Sequence, residues 1–253
     1  MKLIAVSGKG GTGKSTFLAL LLKSLVKEGN SDIIVIDGDP DSNLPEILGV
    51  EGEVHQTIAD IAEDLKHTTR ERVKKDVSST AILRGGVNDS IIEENDFDLL
   101  VLGAIEKEGC YCFLNSQLST ILDKLVGNYT HVLLDLPAGL EHLSRRTVKN
   151  VDHLFIVTDG SKMGITTSKR VSELAEKMRI KVNKKWIVAN RIMEGTEDTV
   201  KELVDKIGVD LAGIVPFDQD LQRINLTGDS IFDLDDTNGA YIAAREIMKI
   251  AEL

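Results

Sequence analysis

The sequence predicts an α/β fold, a doubly wound and mostly parallel sheet, on two observations. Short apolar runs alternate with longer segments of helical period, and the first run breaks into a glycine-rich turn that leads into a helix. The runs are KLIAV, DIIVID, DLLVLG, HVLLDL, HLFIVT, KWIVAN and LAGIVP. Near-continuous apolar runs of this length are what strands covered on both faces look like. Seven of them make one sheet rather than two, so residues 1–253 read as a single domain of a size that one core supports.

The first crossover, STFLALLLKSLVKEG, carries apolar residues at helical spacing and ends on Gly29, a glycine suited to a helix C-terminus. The least regular stretch, residues 51–97, is charged and in part helical (TIADIAEDLKHTTRERVKKD), and reads as an insertion covering one side of the sheet. No internal repeat or low-complexity tract interrupts the pattern. No stretch approaches the roughly 18 apolar residues of a membrane span, so the chain is expected to be soluble and unexported. Two cysteines one residue apart cannot staple distant segments, which fits a reducing compartment, the cytoplasm. A net charge of -11 opposes non-specific attraction to nucleic acid or anionic lipid.

The strongest chemical signal lies at the first strand-to-helix turn, SGKGGTGKST. Gly8 to Ser15 satisfies G-x-x-x-x-G-K-[ST], in which backbone N–H groups and a helix N-terminus cradle phosphates. Lys14 then reaches the β/γ oxygens of a nucleotide and the Ser15 hydroxyl ligates Mg²⁺. Gly10, Gly11, Thr12, Gly13 and Thr16 complete the expected nucleotide contacts. The same letters satisfy the dinucleotide pattern G-x-G-x-x-G through Gly8, Gly10 and Gly13, with Asp37 as a ribose-binding acid. That alternative leaves Lys14 and Ser15 unexplained, and it says nothing about LLDLPAG, where Asp135 ends an apolar strand as a magnesium-holding acid should.

KGGTGKST also carries a second lysine, Lys9, and so resembles the deviant phosphate-loop motif K-G-G-x-G-K-[ST]. This motif belongs to the class of ATPases that includes the nitrogenase iron protein, MinD, ParA and ArsA, within the SIMIBI P-loop NTPases. The resemblance implies ATP and Mg²⁺ as cofactors and an ATP-dependent homodimer in which Lys9 supplies charge to the transition state across the interface. Other motifs of the class occur in order along nearly the whole chain. IDGDPDSN resembles the first switch, with Asp39 managing the attacking water and Asp37 near the magnesium shell. A calcium loop beginning at Asp37 fails on spacing, since Ser42 and Leu48 fall where glycine and glutamate are needed. DLPAGLEH resembles the second switch, which implies that Asp135 holds Mg²⁺ through water and that the Gly139 amide senses the γ-phosphate. VANRI and GIVPFD place Asn190 and Pro216 where the class binds adenine. Catalytic roles thus fall to Lys9, Lys14 and Asp39.

The only two cysteines, Cys110 and Cys112, stand in EGCYCFLN. A C-x-C in an extended segment points both thiols to one side, and two thiolates are half of a tetrahedral soft-metal site that a symmetric dimer can complete. Two buried, inert thiols are the plain alternative. With GKGGTGKST, DGDPDS and DLPAGLEH, the C-x-C resembles the CooC family of nickel-insertion ATPases, which serve carbon monoxide dehydrogenase, and relatives serving acetyl-CoA synthase. That resemblance implies Ni²⁺ or Zn²⁺ on Cys110 and Cys112 and a client nickel metalloenzyme. An iron–sulfur electron donor is disfavoured, because no cysteine follows Cys112. His142 reads as an ordinary histidine. A MinD-like membrane positioner would end in a basic amphipathic helix, whereas GAYIAAREIMKIAEL balances acids against bases. A ParA-like partitioner needs a basic face, for which Arg145, Arg146, Lys149, Lys169 and Arg170 are set against an acidic whole. The expected partners are therefore a second copy and a client enzyme, without nucleic acid or stable membrane association.

Overall fold

The computed structural model describes residues 1–71, 79–104, 120–137, 150–177 and 181–253. An eight-stranded sheet organises them: β1 (Lys2–Gly8), β2 (Ile33–Asp37), β3 (Ile91–Glu93), β4 (Asp98–Val101), β5 (His131–Asp135), β6 (Asn150–Thr158), β7 (Lys181–Ile192) and β8 (Asp210–Pro216). The spatial order is β3-β4-β2-β5-β1-β6-β7-β8, and every pairing is parallel except β3 with β4. All seven runs read from the sequence lie in strands of this sheet.

Alternation along each strand divides the core in two. Ile4 and Val6 of β1, with Ile33 and Val35 of β2, face one layer, while Leu3, Ala5, Ile34 and Ile36 face the other. Because both faces are buried, neither strand shows a polar alternate position, which is why the runs stood out. The first layer is covered by α1 (Lys14–Lys27), α2 (Leu44–Leu48), α8 (Gln219–Thr227) and α9 (Gly239–Ile250). The second is covered by α3 (Ile58–Glu71), α4 (Ser79–Asp89), the helical residues 120–126 (α5), α6 (Lys162–Lys177) and α7 (Glu197–Asp205).

Helix α1 ends as its sequence predicts. The Gly29 N–H donates to the Val26 carbonyl at 2.9 Å and the Asn30 N–H to the Leu25 carbonyl at 3.1 Å, with Gly29 at φ +86°. This is the paired closure that a left-handed residue after a helix permits. Residues 51–97 cover one face, as expected, through Ile58, Ile61, Leu83 and Val87. They are the crossover that two parallel strands, β2 and β4, require, rather than an insertion. They also supply β3, an antiparallel edge strand whose three residues are too few to signal a period. In α9, Ala240, Tyr241, Ala244, Ile247 and Met248 are buried against the first layer, which commits its apolar face to the core. Among the described residues no helix is long and apolar enough to cross a membrane.

Candidate nucleotide site

The C-terminal ends of β1, β2, β5, β6, β7 and β8 point to one rim of the sheet, where ligands of open α/β folds bind. The loop Lys9–Gly13 leaves β1 there and turns into α1. Two glycines are required by what surrounds them. A side chain at Gly8, at φ +151°, would stand 2.2 Å from the Val157 carbonyl of β6. At Gly13, φ +82°, it would stand 2.4 Å from the Asn190 Nδ2. The Lys9 carbonyl accepts from the Thr12 hydroxyl at 2.8 Å and closes the turn.

Gly13 caps α1 without a side-chain acceptor, and no acid stands in the first turn. The contrast with α8 and α9 is direct, since Asp218 accepts from the Leu221 N–H and Asn238 from the N–H groups of Ala240 and Tyr241. The free N–H groups and positive dipole end of α1 are thus left open to an anion. They face a cavity of about 310 Å³ whose walls include Gly10, Gly11, Lys14, Ser15, Thr16 and Asp39. An adjoining cleft of about 240 Å³ is lined by Gly13, Thr16, Asn190, Pro216, Phe217 and Gln222 among others. Thr16 and Gly13 are common to both.

Three carboxylates surround the start of α1. Lys14 Nζ lies 3.4 Å from Asp39 Oδ2, both side chains largely buried. The Ser15 hydroxyl donates to Asp135 Oδ2 at 2.5 Å. Asp37 accepts the N–H groups of Asp39 and Leu44, each at 3.1 Å, and so folds the turn after β2 around itself. Asp37 and Asp135 are direct neighbours in the β2–β5 register. Burial pushes the Asp37 carboxyl up to about 7, with the charge of Asp135 adding to the effect and the two backbone donors opposing it. Burial likewise raises Asp135 to about 6, against the Ser15 hydrogen bond and the charge of Lys14.

These residues fit a magnesium ion. Among the described residues the buried Asp135 Oδ1 has no hydrogen-bond partner, and its other oxygen is bonded to the serine that the loop motif assigns to the metal. Among the described residues no three His, Cys, Asp or Glu side chains form a self-contained cage. Magnesium needs none, since it is held by one or two protein oxygens together with phosphates and water.

Lys9 is half-buried, and its ammonium makes no hydrogen bond or ion pair among the described residues; burial pushes Asp159, which follows β6, upward, but the Ser161 hydrogen bonds and, to a smaller extent, the charge of Lys9 hold it below the ordinary carboxylate range. The Asn190 side chain reaches the phosphate loop, where Nδ2 donates to the Thr12 carbonyl at 2.9 Å, while also lining the cleft beside Pro216. Cys110, Cys112, Gly139, His142, Arg145, Arg146 and Lys149 lie outside the described residues. Sequence reading passed over Arg191, which borders both cavities and whose Nη1 donates to the Gly11 carbonyl at 3.4 Å. An arginine at a strand end carries no signal of its own.

The profile described as the CobQ/CobB/MinD/ParA nucleotide binding domain matches residues 3–231. The uncharacterized ATP-binding protein MJ0685 of Methanocaldococcus jannaschii is 41% identical over 246 residues, 97% of this chain and 96% of that protein. The carbon monoxide dehydrogenase accessory protein CooC of Rhodospirillum rubrum is 32% identical over 243 residues, 91% of this chain and 89% of that protein. Among solved structures, a chain of the MinC:MinD cell division protein complex of Aquifex aeolicus superposes with a TM-score of 0.74 at 24% identity, covering 98% of this chain and 94% of that one. A ParA family ATPase from Chlorobium tepidum gives 0.73 at 19% identity with full coverage of both, a likeness of fold. The phosphate loop, the carboxylates around it and these relatives agree: the chain belongs to the CobQ/CobB/MinD/ParA family of P-loop nucleotide-binding proteins and is an ATP-binding ATPase.

Proposed function

We propose that this ATPase dimerises on MgATP and couples hydrolysis to nickel insertion into a metalloenzyme of the carbon monoxide dehydrogenase or acetyl-CoA synthase type. The observation that carries this reading is the likeness to CooC over nine-tenths of the chain, in a sequence whose only thiols form a C-x-C pair. MinD-like positioning is the competing reading, and relatives named MinD occur at 24% identity. The burial of the α9 apolar face weighs against that helix acting as a lipid anchor.

In the proposed cycle the Lys14–Asp39 pair is the resting state. Phosphates entering the cavity compete for Lys14, and Asp39, released, accepts a proton from or orients the attacking water. Ser15, Asp135 and, beside them, Asp37 would hold Mg²⁺, which supplies charge to the β and γ oxygens. Lys9, whose ammonium makes no hydrogen bond or ion pair among the described residues, would act on the nucleotide of a second copy. Asn190 and Pro216 flank the cleft proposed for adenine.

Replacing both Cys110 and Cys112 by serine should abolish binding of one Ni²⁺ or Zn²⁺ per two chains, along with metal-induced dimerisation in sedimentation, while nucleotide affinity stays intact. Unchanged metal content in that variant, or one ion held by each monomer, would remove the thiol site from the proposal. Lys9→Ala should keep most ATP binding and suppress hydrolysis. A wild-type turnover in that variant would reject the role of Lys9 across the dimer.

A further inference from the structure

A phosphate loop binds through N–H groups, and each planar peptide fixes an N–H opposite to the carbonyl of the residue before it. Whatever holds the carbonyls outward therefore aims the donors inward. In this protein two adjacent residues of β7 do so. Asn190 Nδ2 donates to the carbonyls of Thr12 at 2.9 Å and Gly13 at 3.4 Å, and Arg191 Nη1 donates to that of Gly11 at 3.4 Å. Three successive peptide planes are thus held from outside the site, the third also by the Phe17 N–H of α1, which donates to the Gly13 carbonyl at 2.9 Å, and the far sides of the second and third are the N–H groups of Gly13 and Lys14.

Neighbouring residues of a regular strand send their side chains to opposite faces, so one strand end could not reach one loop with both. Arg191 breaks that alternation. It stands at φ +61°, an uncommon conformation for so large a side chain, where the register between β7 and β8 shifts between Ala189 and Ile192. Core packing does not impose this, because Arg191 is exposed.

We propose that Arg191 is a positioning residue of the phosphate site: with Asn190 it forms a clasp that holds the Gly11, Thr12 and Gly13 carbonyls outward, steadies the turn that the Thr12 N–H closes on the Lys9 carbonyl at 3.4 Å, pre-organises the Gly13 and Lys14 N–H groups for polyphosphate, and depends on the left-handed backbone at 191. The assignment is independent of which client the ATPase serves. Rigid donors set before the ligand arrives bind it without a further ordering cost.

Arg191→Asn provides the test, because asparagine tolerates a left-handed backbone and lacks the charge and reach of arginine. Inorganic pyrophosphate and adenosine are the probes. Pyrophosphate affinity should fall roughly three- to tenfold, the size of one net hydrogen bond, with adenosine affinity unchanged. Deuterium uptake by the peptide covering residues 8–16 should rise in the nucleotide-free protein, a readout that a purely electrostatic contact with phosphate would not move. Weaker pyrophosphate binding with unchanged uptake would assign Arg191 to direct phosphate contact and overturn the clasp. An equal loss for adenosine would make it a base contact, and unchanged values throughout would leave it without a role in binding. Should Arg191→Asn lower the melting temperature, Arg191→Gly, freer still at that backbone angle, repeats the measurement on the same criteria.

Discussion

Helix α1 buries two lysines nine residues apart, and they are buried for opposite reasons. Lys23, in the third turn, is 0% exposed and sits in a closed shell. Its ammonium donates to the carbonyls of Ile231 at 3.3 Å, Phe232 at 3.1 Å and Leu234, with the Tyr241 ring centroid 5.0 Å away and Asp236 at 3.9 Å. Lys14, in the first turn, is 7% exposed, pairs with Asp39 and faces the 310 Å³ cavity. Both positions withdraw a charge from water, but only one leaves space for an anion. Depth alone does not mark a ligand site; the open side of the shell does.

Breaking each lysine should separate the two roles. On the proposed role, Lys14→Ala takes away the charge that meets the β/γ phosphates and should lower hydrolysis by about 10²–10³-fold, with nucleotide affinity reduced as well, while the nucleotide-free melting temperature falls less than in Lys23→Ala. Isothermal titration and steady-state hydrolysis measure the first two, calorimetry the third. Lys23→Ala should do the converse. It leaves three buried carbonyls without their shared donor and opens a cavity, for a loss of about 3–5 kcal/mol in stability, and Lys23→Met, which refills the space, should recover part of it. Folded Lys23→Met should bind nucleotide with near wild-type affinity. If its affinity fell as far as that of Lys14→Ala, the division between the two turns would fail, because the segment that Lys23 holds runs directly on from Gly228 and Asp229 of the cavity wall.

How far the sequence discloses this arrangement differs from one residue to the next. Strands buried on both faces read as apolar runs, so seven of eight were legible, and Gly29 announced its turn. The edge strand β3 was not, because two half-buried residues and an exposed one define no period. Gly8 to Ser15 declare a phosphate loop because the chemistry of anion binding fixes their spacing. Asn190 was placed at the right strand end, but its bond to the Thr12 carbonyl joins residues 178 apart in sequence, and nothing local foretells it. Arg191 and Lys23 were silent for the same reason. One depends on a backbone angle and the other on a loop more than 200 residues away, and in the sequence each is one more cation near apolar neighbours.

A smaller effect sharpens the comparison further, because the first turn of α1 faces acids that titrate near neutrality. Asp37 and Asp135, raised to about 7 and about 6 chiefly by burial, stand against a value of 3.8 for an unperturbed carboxyl. Between 3.8 and those raised values the folded protein holds more protons than the unfolded chain. Stability should therefore fall as pH rises through that window and level off above about 7. Taking the nucleotide-free protein from pH 8 to pH 5 should add about 4 kcal/mol from this pair, read as the change in urea-unfolding stability with pH. Asp37→Asn should flatten the slope by fixing one neutral partner, even though the amide loses one of the two oxygens that accept from Asp39 and Leu44. Lys14→Ala should steepen it, because the lysine's charge is among the forces that pull Asp135 down. Saturating Mg²⁺ and ADP should reverse the trend, since the metal prefers the ionised carboxylates and competes with protons for them. If instead the nucleotide-free protein and Asp37→Asn shared one stability profile between pH 5 and pH 7, with no fall that the substitution removes, the pair would be ionised in the folded state as in the unfolded chain. Lys14 would then be the counter-ion for both acids as well as for Asp39, and its shell would be as closed as that of Lys23.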